Sequence, residues 1–497
     1  MLRHLFRDSV IYAIPSAVSS GMAFFLFPLY AHHFIPYEYG ILEILTFSGT
    51  FIILIGALQM YQAVGRFATG EPNLALRRAY ASTGLYFTLA WYCTLGLSVT
   101  LFASRIAQIL LGKPGLGDLV RIAIMWTVVQ GILTFAQAQL RWEFRAVAYA
   151  IASVLNALFT ALPAVIFVFY LHLGIRGALW GQLTGSAVAL AYVAVVARRY
   201  FGHEFFTGRL REMLTYSAPL VLSNVGVFLN LYADRLLIQH LKSVSEVGVY
   251  GVGSRIATIV TLLLVGFQSA ATPLFLAKRK DLATPPAIAR FLRFFMLIAL
   301  SAVTALSLFA TPLVRLVAAS AYQRASTVVP FLVVSALFSG MYFFAPGLMF
   351  AKKTTLMAII TVLAGLLNGI LCLLFIPPFG IMGAAVGTCL TSIAWLVVLM
   401  LASQRYYQVP HRWRSLVLAS IVVFLYIGFC LVLLPNRLGE ALSLPTLGLR
   451  IVLTLGGVGL AGCLLGETVS VKTALTRLRP ITTFLSQNQA TTTKSDN

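Results

Sequence analysis

The chain has 497 residues, of which 60% are hydrophobic and only 10% are charged, and its formal net charge is +22 at pH 7. Proteins of the aqueous phase carry about 25% charged residues, so this chain has too few charged groups to cover a solvated surface. The composition excludes a soluble enzyme and predicts a polytopic membrane protein. Nucleic acid is not an expected partner, because the basic residues stand singly or in short clusters between apolar runs.

About fourteen apolar windows are long enough to cross a bilayer, since a helix needs about 20 apolar residues to do so. The predicted fold class is therefore all-α, with about fourteen transmembrane helices. The first window follows a basic segment, as in a signal peptide, but it runs too long for one and is counted as a span. In chain order the windows are 9–30, 40–63, 80–103, 119–140, 148–170, 178–197, 214–240, 249–277, 294–312, 326–351, 354–376, 381–402, 415–435 and 446–467.

The lysines and arginines predict how the helices are oriented. Of the 36 basic residues, 25 lie on the side of the first residue, eight lie on the opposite side and three lie within spans. Positive residues accumulate in cytoplasmic loops, so both termini are predicted to be cytoplasmic. No loop exceeds about twenty residues and no nucleotide-binding or HExxH motif occurs, which argues against a catalytic domain. The five cysteines lie in apolar runs without metal-ligand spacing, so no metal site is expected.

Two sequence patterns recur at almost the same offset. Glu38-Tyr39-Gly40 matches Glu246-Val247-Gly248 after 208 residues, and a G-x-x-G-A-x-x-G pattern that begins at Gly174 returns 206 residues later at Gly380. Matched offsets indicate a duplication, and an offset of six helices gives both halves the same orientation. The predicted domains are two six-helix bundles with pseudo-twofold symmetry, two additional helices and a polar cytoplasmic tail, at 1–200, 201–408, 409–467 and 468–497.

Six short motifs stand in a fixed order along the chain: Pro28-Leu29-Tyr30, the stretch from Phe34 to Glu43, Gly65-Arg66-Phe67, Asn230 to Arg235, Val247 to Tyr250, and Arg255-Ile256-Ala257. Together they resemble the polysaccharide transporters, or O-antigen flippases, of the multidrug/oligosaccharidyl-lipid/polysaccharide exporter superfamily. The resemblance covers residues 1 to about 402 and implies a flippase for a lipid-linked oligosaccharide in a bacterial cytoplasmic membrane. It also implies membrane lipids and other polysaccharide-assembly proteins as partners. The Arg-Asp pair in the first hairpin of lipid II flippases is missing here, which argues against lipid II as the substrate.

Glu43, Asp234, Arg235 and Arg255 lie inside predicted spans, where ionisable groups are costly and indicate function. Asp234, Arg235 and Arg255 belong to one hairpin and are expected at one depth with Glu43, facing a central cavity. A guanidinium binds phosphate through two parallel hydrogen bonds, so the two arginines are predicted to hold a diphosphate headgroup. Glu43 and Asp234 are candidates for proton or sodium coupling. Alternatively, Asp234 and Arg255 form a buried ion pair that only joins two helices.

Basic residues at cytoplasmic helix ends are predicted to meet the headgroup first. They are Arg66, Arg141, Arg145, Lys352 and Lys353; the alternative is that they only obey the positive-inside rule. Polar residues within spans, such as Asn156 and Gln182, are candidates for bonds to sugar hydroxyls, although bonds between helices explain them equally well.

The predicted function is alternating access through a cationic cavity, with the polyprenyl tail left in the lipid and no cofactor beyond the coupling ion considered above. One alternative is a cation-coupled multidrug exporter of the same superfamily, which would need carboxylates in the first spans. A second alternative is a membrane-embedded glycan polymerase or ligase, which would need a large outer loop. The longest outer loop, at about 104–118, is short and poor in charge.

Overall fold

The computed structural model describes residues 21–22, 24–202, 204–277, 281–433 and 443–466. Within these ranges all regular secondary structure is helical, which confirms the predicted all-α class. The first predicted span, 9–30, lies mostly outside the described residues, and so does the predicted polar tail at 468–497.

The residues that the structure describes form eighteen α-helices. They are α1 (24–33), α2 (Pro36–Ile55), α3 (Met60–Ala68), α4 (Leu74–Leu101), α5 (Ala103–Leu111), α6 (Gly117–Trp142), α7 (Ala146–Val165), α8 (Gly174–Ala197), α9 (Thr207–Leu241), α10 (Val244–Ala277), α11 (Thr284–Leu308), α12 (Ala310–Val317), α13 (Val329–Gly340), α14 (Gly347–Phe350), α15 (Thr354–Phe379), α16 (Ile381–Gln404), α17 (Trp413–Leu433) and α18 (Leu444–Leu465).

Thirteen helical segments among the described residues are long and apolar enough to cross a membrane, and they match the second to fourteenth predicted spans. The largest shift is in the ninth, predicted at 294–312 and found at Thr284–Leu308. The apolar window begins after Arg293, whereas the helix continues past that charge to a Thr-Pro-Pro start. Proline is well accepted in the first turn of a helix, so the helix can begin well before the apolar window.

The second span is a broken helix. Between α2 and α3 the chain makes a 3₁₀ turn, Gly56–Gln59, in which Ala57, Leu58 and Gln59 have φ of 45°, 48° and 59°. Gly56 packs against the ring of Tyr92. Broken backbone within a membrane is tolerated where protein covers it, and Gln59 is only 1% exposed. The turn sets the direction in which α3 leaves α2.

The chain forms two units, Met1–Ala277 with Leu313–Tyr407, and Lys278–Pro312 with Gln408–Asn497. The described part of the first unit holds α1 to α10 and α13 to α16. The second unit holds α11, α17 and α18, so the ninth predicted span packs with the two C-terminal helices. The predicted domain boundaries at 200 and 408 stay predictions.

In the second unit a buried arginine joins two helices. Arg450 of α18 is 3% exposed and donates a hydrogen bond to the backbone carbonyl of Leu308, the last residue of α11. Position 457 of α18 is a glycine that faces Thr304 of α11, so the two helices approach closely. Arg450 is one of the eight basic residues that the sequence analysis places on the side opposite the first residue, and the structure places it within a helix.

The two copies of the glycine pattern have the same local structure. Gly174 and Gly380 both have left-handed backbones, with φ of 56° and 61°, and each stands directly before or at the start of a helix. Three residues on, Gly177 and Gly383 both lie against a backbone carbonyl of the preceding helix, leaving no room for a side chain. The matched geometry of the hairpins α7–α8 and α15–α16 agrees with the predicted duplication.

Replacing Gly383 with alanine is expected to lower the thermal stability of the protein. The added methyl group would overlap the carbonyl oxygen of Phe375, and overpacking of this kind costs about 1–3 kcal/mol. The melting temperature of the purified protein in detergent measures the effect. Gly369→Ala is the matched control, because the added methyl group would meet nothing within 4 Å. Equal melting temperatures for the two variants would contradict the close packing of this hairpin.

Candidate functional site

Aromatic packing brings a carboxylate of α2 to a guanidinium of α9. Glu43 and Phe47 are one helical turn apart on α2, and Tyr232 lies one turn before Arg235 on α9. The rings of Phe47 and Tyr232 stack with centroids 6.0 Å apart. The two helices therefore meet along these faces, and Glu43 and Arg235 come to the same depth.

The four charges that were predicted to face a cavity form one network. Glu43 Oε1 lies 2.9 Å from Arg255 Nη2, and Glu43 Oε2 lies 3.9 Å from Arg235 Nε. Asp234 Oδ1 lies 3.6 Å from Arg235 Nη1. Two carboxylates therefore face two guanidiniums, and the formal charge of the network is balanced. The side chains of Glu43, Asp234 and Arg235 are at most 13% exposed, whereas that of Arg255 is 40% exposed.

Neutral groups complete the hydrogen bonding of the buried charges. The Tyr250 hydroxyl donates to Asp234 Oδ2 at 2.5 Å, and Thr388 Oγ1 of α16 donates to the same oxygen at 3.4 Å. Arg235 Nη2 donates to Ser254 Oγ at 2.7 Å. Sequence reasoning missed all three of these residues. Ser254 stands beside Arg255, and Tyr250 lies one helical turn before Ser254, so helical spacing could have pointed to both.

A cavity of about 250 Å³ opens beside the network. Glu43 and Arg255 lie in its wall together with the polar side chains of Thr46, Asn156 and Gln182. Gln182 Nε2 donates to Thr46 Oγ1 at 3.4 Å, so the polar wall is itself connected. The wall thus combines the charged pair of Glu43 and Arg255 with amide and hydroxyl groups. The other lining residues are Met22, Leu26, Phe27, Tyr30, Tyr39, Leu42, Ala157 and Thr160.

The predicted pairing of Asp234 with Arg255 is not the one observed, because Arg255 pairs with Glu43. The predicted excess of positive charge is also not found at this cavity, since Glu43 and Arg255 are the only charged residues in its described lining. Both differences have one cause, which is that α2 packs against α10 closely enough for Glu43 to reach Arg255.

Two glycines make this close packing possible. A methyl group at Gly40 of α2 would overlap the carbonyl oxygen of Val244 on α10, and one at Gly248 of α10 would overlap the carbonyl oxygen of Pro36 on α2. Small residues let helix backbones touch in this way. Gly40 and Gly248 occupy equivalent positions of the internal repeat. They bring the two halves into contact at one end of the helices. The predicted orientation places this end outside the cell, and we call it the outer end.

Further contacts join the same end. The Tyr322 hydroxyl donates to the carbonyl of Phe34 at 2.8 Å, and the amide of Ala319 donates to the carbonyl of Ala31 at 3.0 Å. Arg324 also pairs with Glu246 at 2.6 Å. The charge network and its cavity therefore lie beneath a closed outer end.

The five basic residues predicted at cytoplasmic helix ends do not line the cavity. Arg66, Arg141, Arg145, Lys352 and Lys353 are all exposed. Gly65 packs against the indole of Trp142, so the helix ends that carry Arg66 and Arg141 are neighbours. Their role as first contacts of a headgroup stays a prediction. Among the described residues, no group of three or more His, Cys, Asp or Glu side chains could hold a metal ion.

Comparisons with known proteins give the family and the fold. The model of a family described as polysaccharide biosynthesis protein matches residues 34–327. A protein of the Lsg locus of Haemophilus influenzae is 23% identical over 285 residues, which are 54% of this chain and 66% of that protein. The chain thus matches just under two thirds of the length of this relative.

Two solved transporters share the fold. The lipid II flippase MurJ, in an inward closed conformation, has a TM-score of 0.72 at 16% identity over 91% of this chain and 98% of its own. An inward-facing multidrug resistance transporter of the MATE family, within the MOP superfamily, has a TM-score of 0.65 at 16% identity over 80% of this chain and 97% of its own. At such identities the likeness concerns the fold and not the substrate.

Proposed function

The chain belongs to the polysaccharide biosynthesis protein family, and from this premise we propose that it is a flippase for a lipid-linked oligosaccharide. In this proposal it carries a polyprenyl-diphosphate-linked repeat unit from the inner to the outer leaflet of a bacterial cytoplasmic membrane. The fold, shared with MurJ and a MATE transporter, supports movement by alternating access.

The observation that carries the proposal is the position of Arg255. Its guanidinium is bonded to Glu43 through Nη2, while 40% of the side chain remains exposed beside the polar cavity wall. A guanidinium has five N–H donors, so groups remain for an oxygen-rich anion. Phosphate suits this geometry, because it accepts two parallel hydrogen bonds from one guanidinium.

We infer that the diphosphate competes with Glu43 for the arginines. A phosphate oxygen that replaces the carboxylate at Arg255 keeps the guanidinium paired. Glu43 still faces Arg235, whose Nε lies 3.9 Å from Glu43 Oε2, so neither group loses every opposite charge. Glu43 belongs to α2 and Arg255 belongs to α10. Loss of their direct bond removes one connection between the two helices, and binding of the headgroup thereby favours separation of the outer end.

The membrane potential favours outward movement of a negatively charged headgroup. An inside-negative potential contributes about 2.3 kcal/mol per charge per 100 mV to this movement. Coupling to a proton or sodium ion through Glu43 or Asp234 is compatible with this cycle, since Glu43 is released from Arg255 when the headgroup binds. We propose that Arg66, Arg141 and Lys352 collect the anionic headgroup at the cytoplasmic surface.

Deletion of the gene tests the proposal, with an intact lipid-linked repeat unit expected to accumulate in the inner leaflet. The purified protein in liposomes should then move that lipid to the opposite leaflet. The multidrug exporter is the competing function, and the charge balance of the network and the presence of Glu43 in the cavity wall favour it. Sensitivity of the deletion strain to cationic dyes, with normal surface polysaccharide, would decide for the exporter.

A further inference from the structure

A row of aromatic pairs follows the contact of α2 and α3 with α9, and we call these six residues the aromatic seam. On α2 the rings lie one turn apart on the face that carries Glu43, and on α9 two of the rings lie on the face that carries Arg235. The pairs are Phe67 with Tyr216, Phe51 with Phe228, and Phe47 with Tyr232, with centroid distances of 5.8, 4.3 and 6.0 Å.

The seam begins at an open pocket and ends at the charge network. The pocket has a volume of about 510 Å³ and is lined by Phe67, Gly208, Arg211, Glu212, Thr215 and Tyr216. The pocket lies where α9 begins and α3 ends, which the predicted orientation places at the cytoplasmic surface.

The pocket wall combines aromatic faces with groups that form hydrogen bonds. Phe67 stacks on Tyr80 with centroids 5.7 Å apart and an interplanar angle of 17°. The Tyr80 hydroxyl donates to Glu212 Oε2 at 3.1 Å, which fixes both the ring and the carboxylate. The Phe67 and Tyr216 rings meet at an interplanar angle of 80°, and 40% of Tyr216 is exposed. Arg211 and Thr215 are exposed on the same side of α9.

A sugar ring is the ligand that uses all of these groups. Its C–H face packs on an aromatic ring, and its hydroxyls can both donate to Glu212 and accept from Arg211. A phosphate would use the arginine only and would be repelled by the carboxylate. We propose that this pocket binds the sugar portion of the lipid-linked substrate, and that the seam is the surface along which the sugars reach the charge network.

This proposal rests on the proposed function and deepens it. In the present structure the seam is closed, because Phe47 and Phe228 are 2% and 3% exposed. Separation of α2 from α9 exposes these rings. The sugars and the diphosphate thus have separate sites, and each can be tested alone.

The experiment measures binding to the purified full-length protein by calorimetry with two probes. One probe is the neutral oligosaccharide released by mild acid from the lipid-linked pool of the host cells, and the other is inorganic pyrophosphate. The Phe67→Ala plus Tyr216→Ala double variant is expected to bind the oligosaccharide at least about tenfold more weakly than the parent does, with pyrophosphate binding unchanged. Arg255→Ala is expected to weaken pyrophosphate binding and to leave oligosaccharide binding unchanged.

Two further variants distinguish a loss of the sugar site from misfolding of the protein. Phe67→Tyr plus Tyr216→Phe keeps both rings and should retain oligosaccharide binding, while Arg211→Ala alters only an exposed side chain and should weaken it. The proposed sugar site is wrong if the parent does not bind the oligosaccharide, or if the double alanine variant binds it as tightly as the parent does. It is also wrong if that variant loses pyrophosphate binding to the same extent as oligosaccharide binding. The proposed function survives those results as long as the parent moves the lipid in liposomes, and it fails if that movement is absent.

Discussion

Replacing Arg255 with alanine is expected to slow transport of the lipid-linked oligosaccharide about ten- to a hundredfold. A hydrogen bond to a charged group contributes about 1.5–3 kcal/mol, which corresponds to this range of rates. The variant is also expected to melt at a lower temperature, because Glu43, whose side chain is 9% exposed in the parent, loses the partner that lies 2.9 Å from it. Transport into liposomes and thermal melting are measured on the same preparation.

The double variant Glu43→Ala plus Arg255→Ala separates a ligand role from a purely structural one. Removing both charges removes the unpaired group, so the melting temperature is expected to recover towards that of the parent. Transport is expected to stay low, because the phosphate-binding guanidinium is still missing. If transport recovers together with stability, the pair only joins α2 to α10 and the proposed headgroup site is wrong.

A second ion pair provides the matched control. Arg77 of α4 pairs with Glu143, and their side chains are 30% and 10% exposed. Gln139 also donates to Glu143 at 3.1 Å. This pair lies outside the charge network and outside the cavity lining. Arg77→Ala is therefore expected to lower the melting temperature without a comparable loss of transport per folded molecule.

The sequence predicted the spans well because hydropathy is a local property. Thirteen described helices match predicted windows, and the depth of Asp234, Arg235 and Arg255 follows from the hairpin that contains them. Their partners could not be predicted in the same way. Glu43 stands 212 residues before Arg255, and only the packing of α2 on α10 decides that these two side chains meet.

Two other features also depend on packing that no local pattern encodes. Thr388 reaches Asp234 from α16, a helix whose sequence gives no sign that it faces the network. The ninth span packs with the two C-terminal helices, although the internal repeat assigns it to the second half. By contrast, Gly40 and Gly248 were recognised in the sequence, but as marks of duplication. Only the packing of α2 on α10 shows that these two glycines form a contact between the halves.

Replacing Gly40 or Gly248 with alanine is expected to open the outer end. In each case the new methyl group would overlap a backbone carbonyl oxygen of the facing helix, and backbone cannot rotate away as a side chain can. Overpacking costs about 1–3 kcal/mol, which shifts the balance between closed and open outer ends about five- to more than a hundredfold. The protein is then held away from the state that loads substrate, so transport is expected to fall.

Accessibility of the cavity measures this shift directly. Thr160 lines the cavity, and a Thr160→Cys variant, with the exposed Cys93 and Cys463 replaced by alanine, can be labelled from outside with a maleimide that does not cross membranes. Labelling is expected to be slow in the parent and faster when Gly248→Ala is added. Gly369→Ala should leave the rate unchanged, since it adds a methyl group in open space. Equal labelling in all three proteins would show that the contact of Gly40 with Gly248 does not close the outer end.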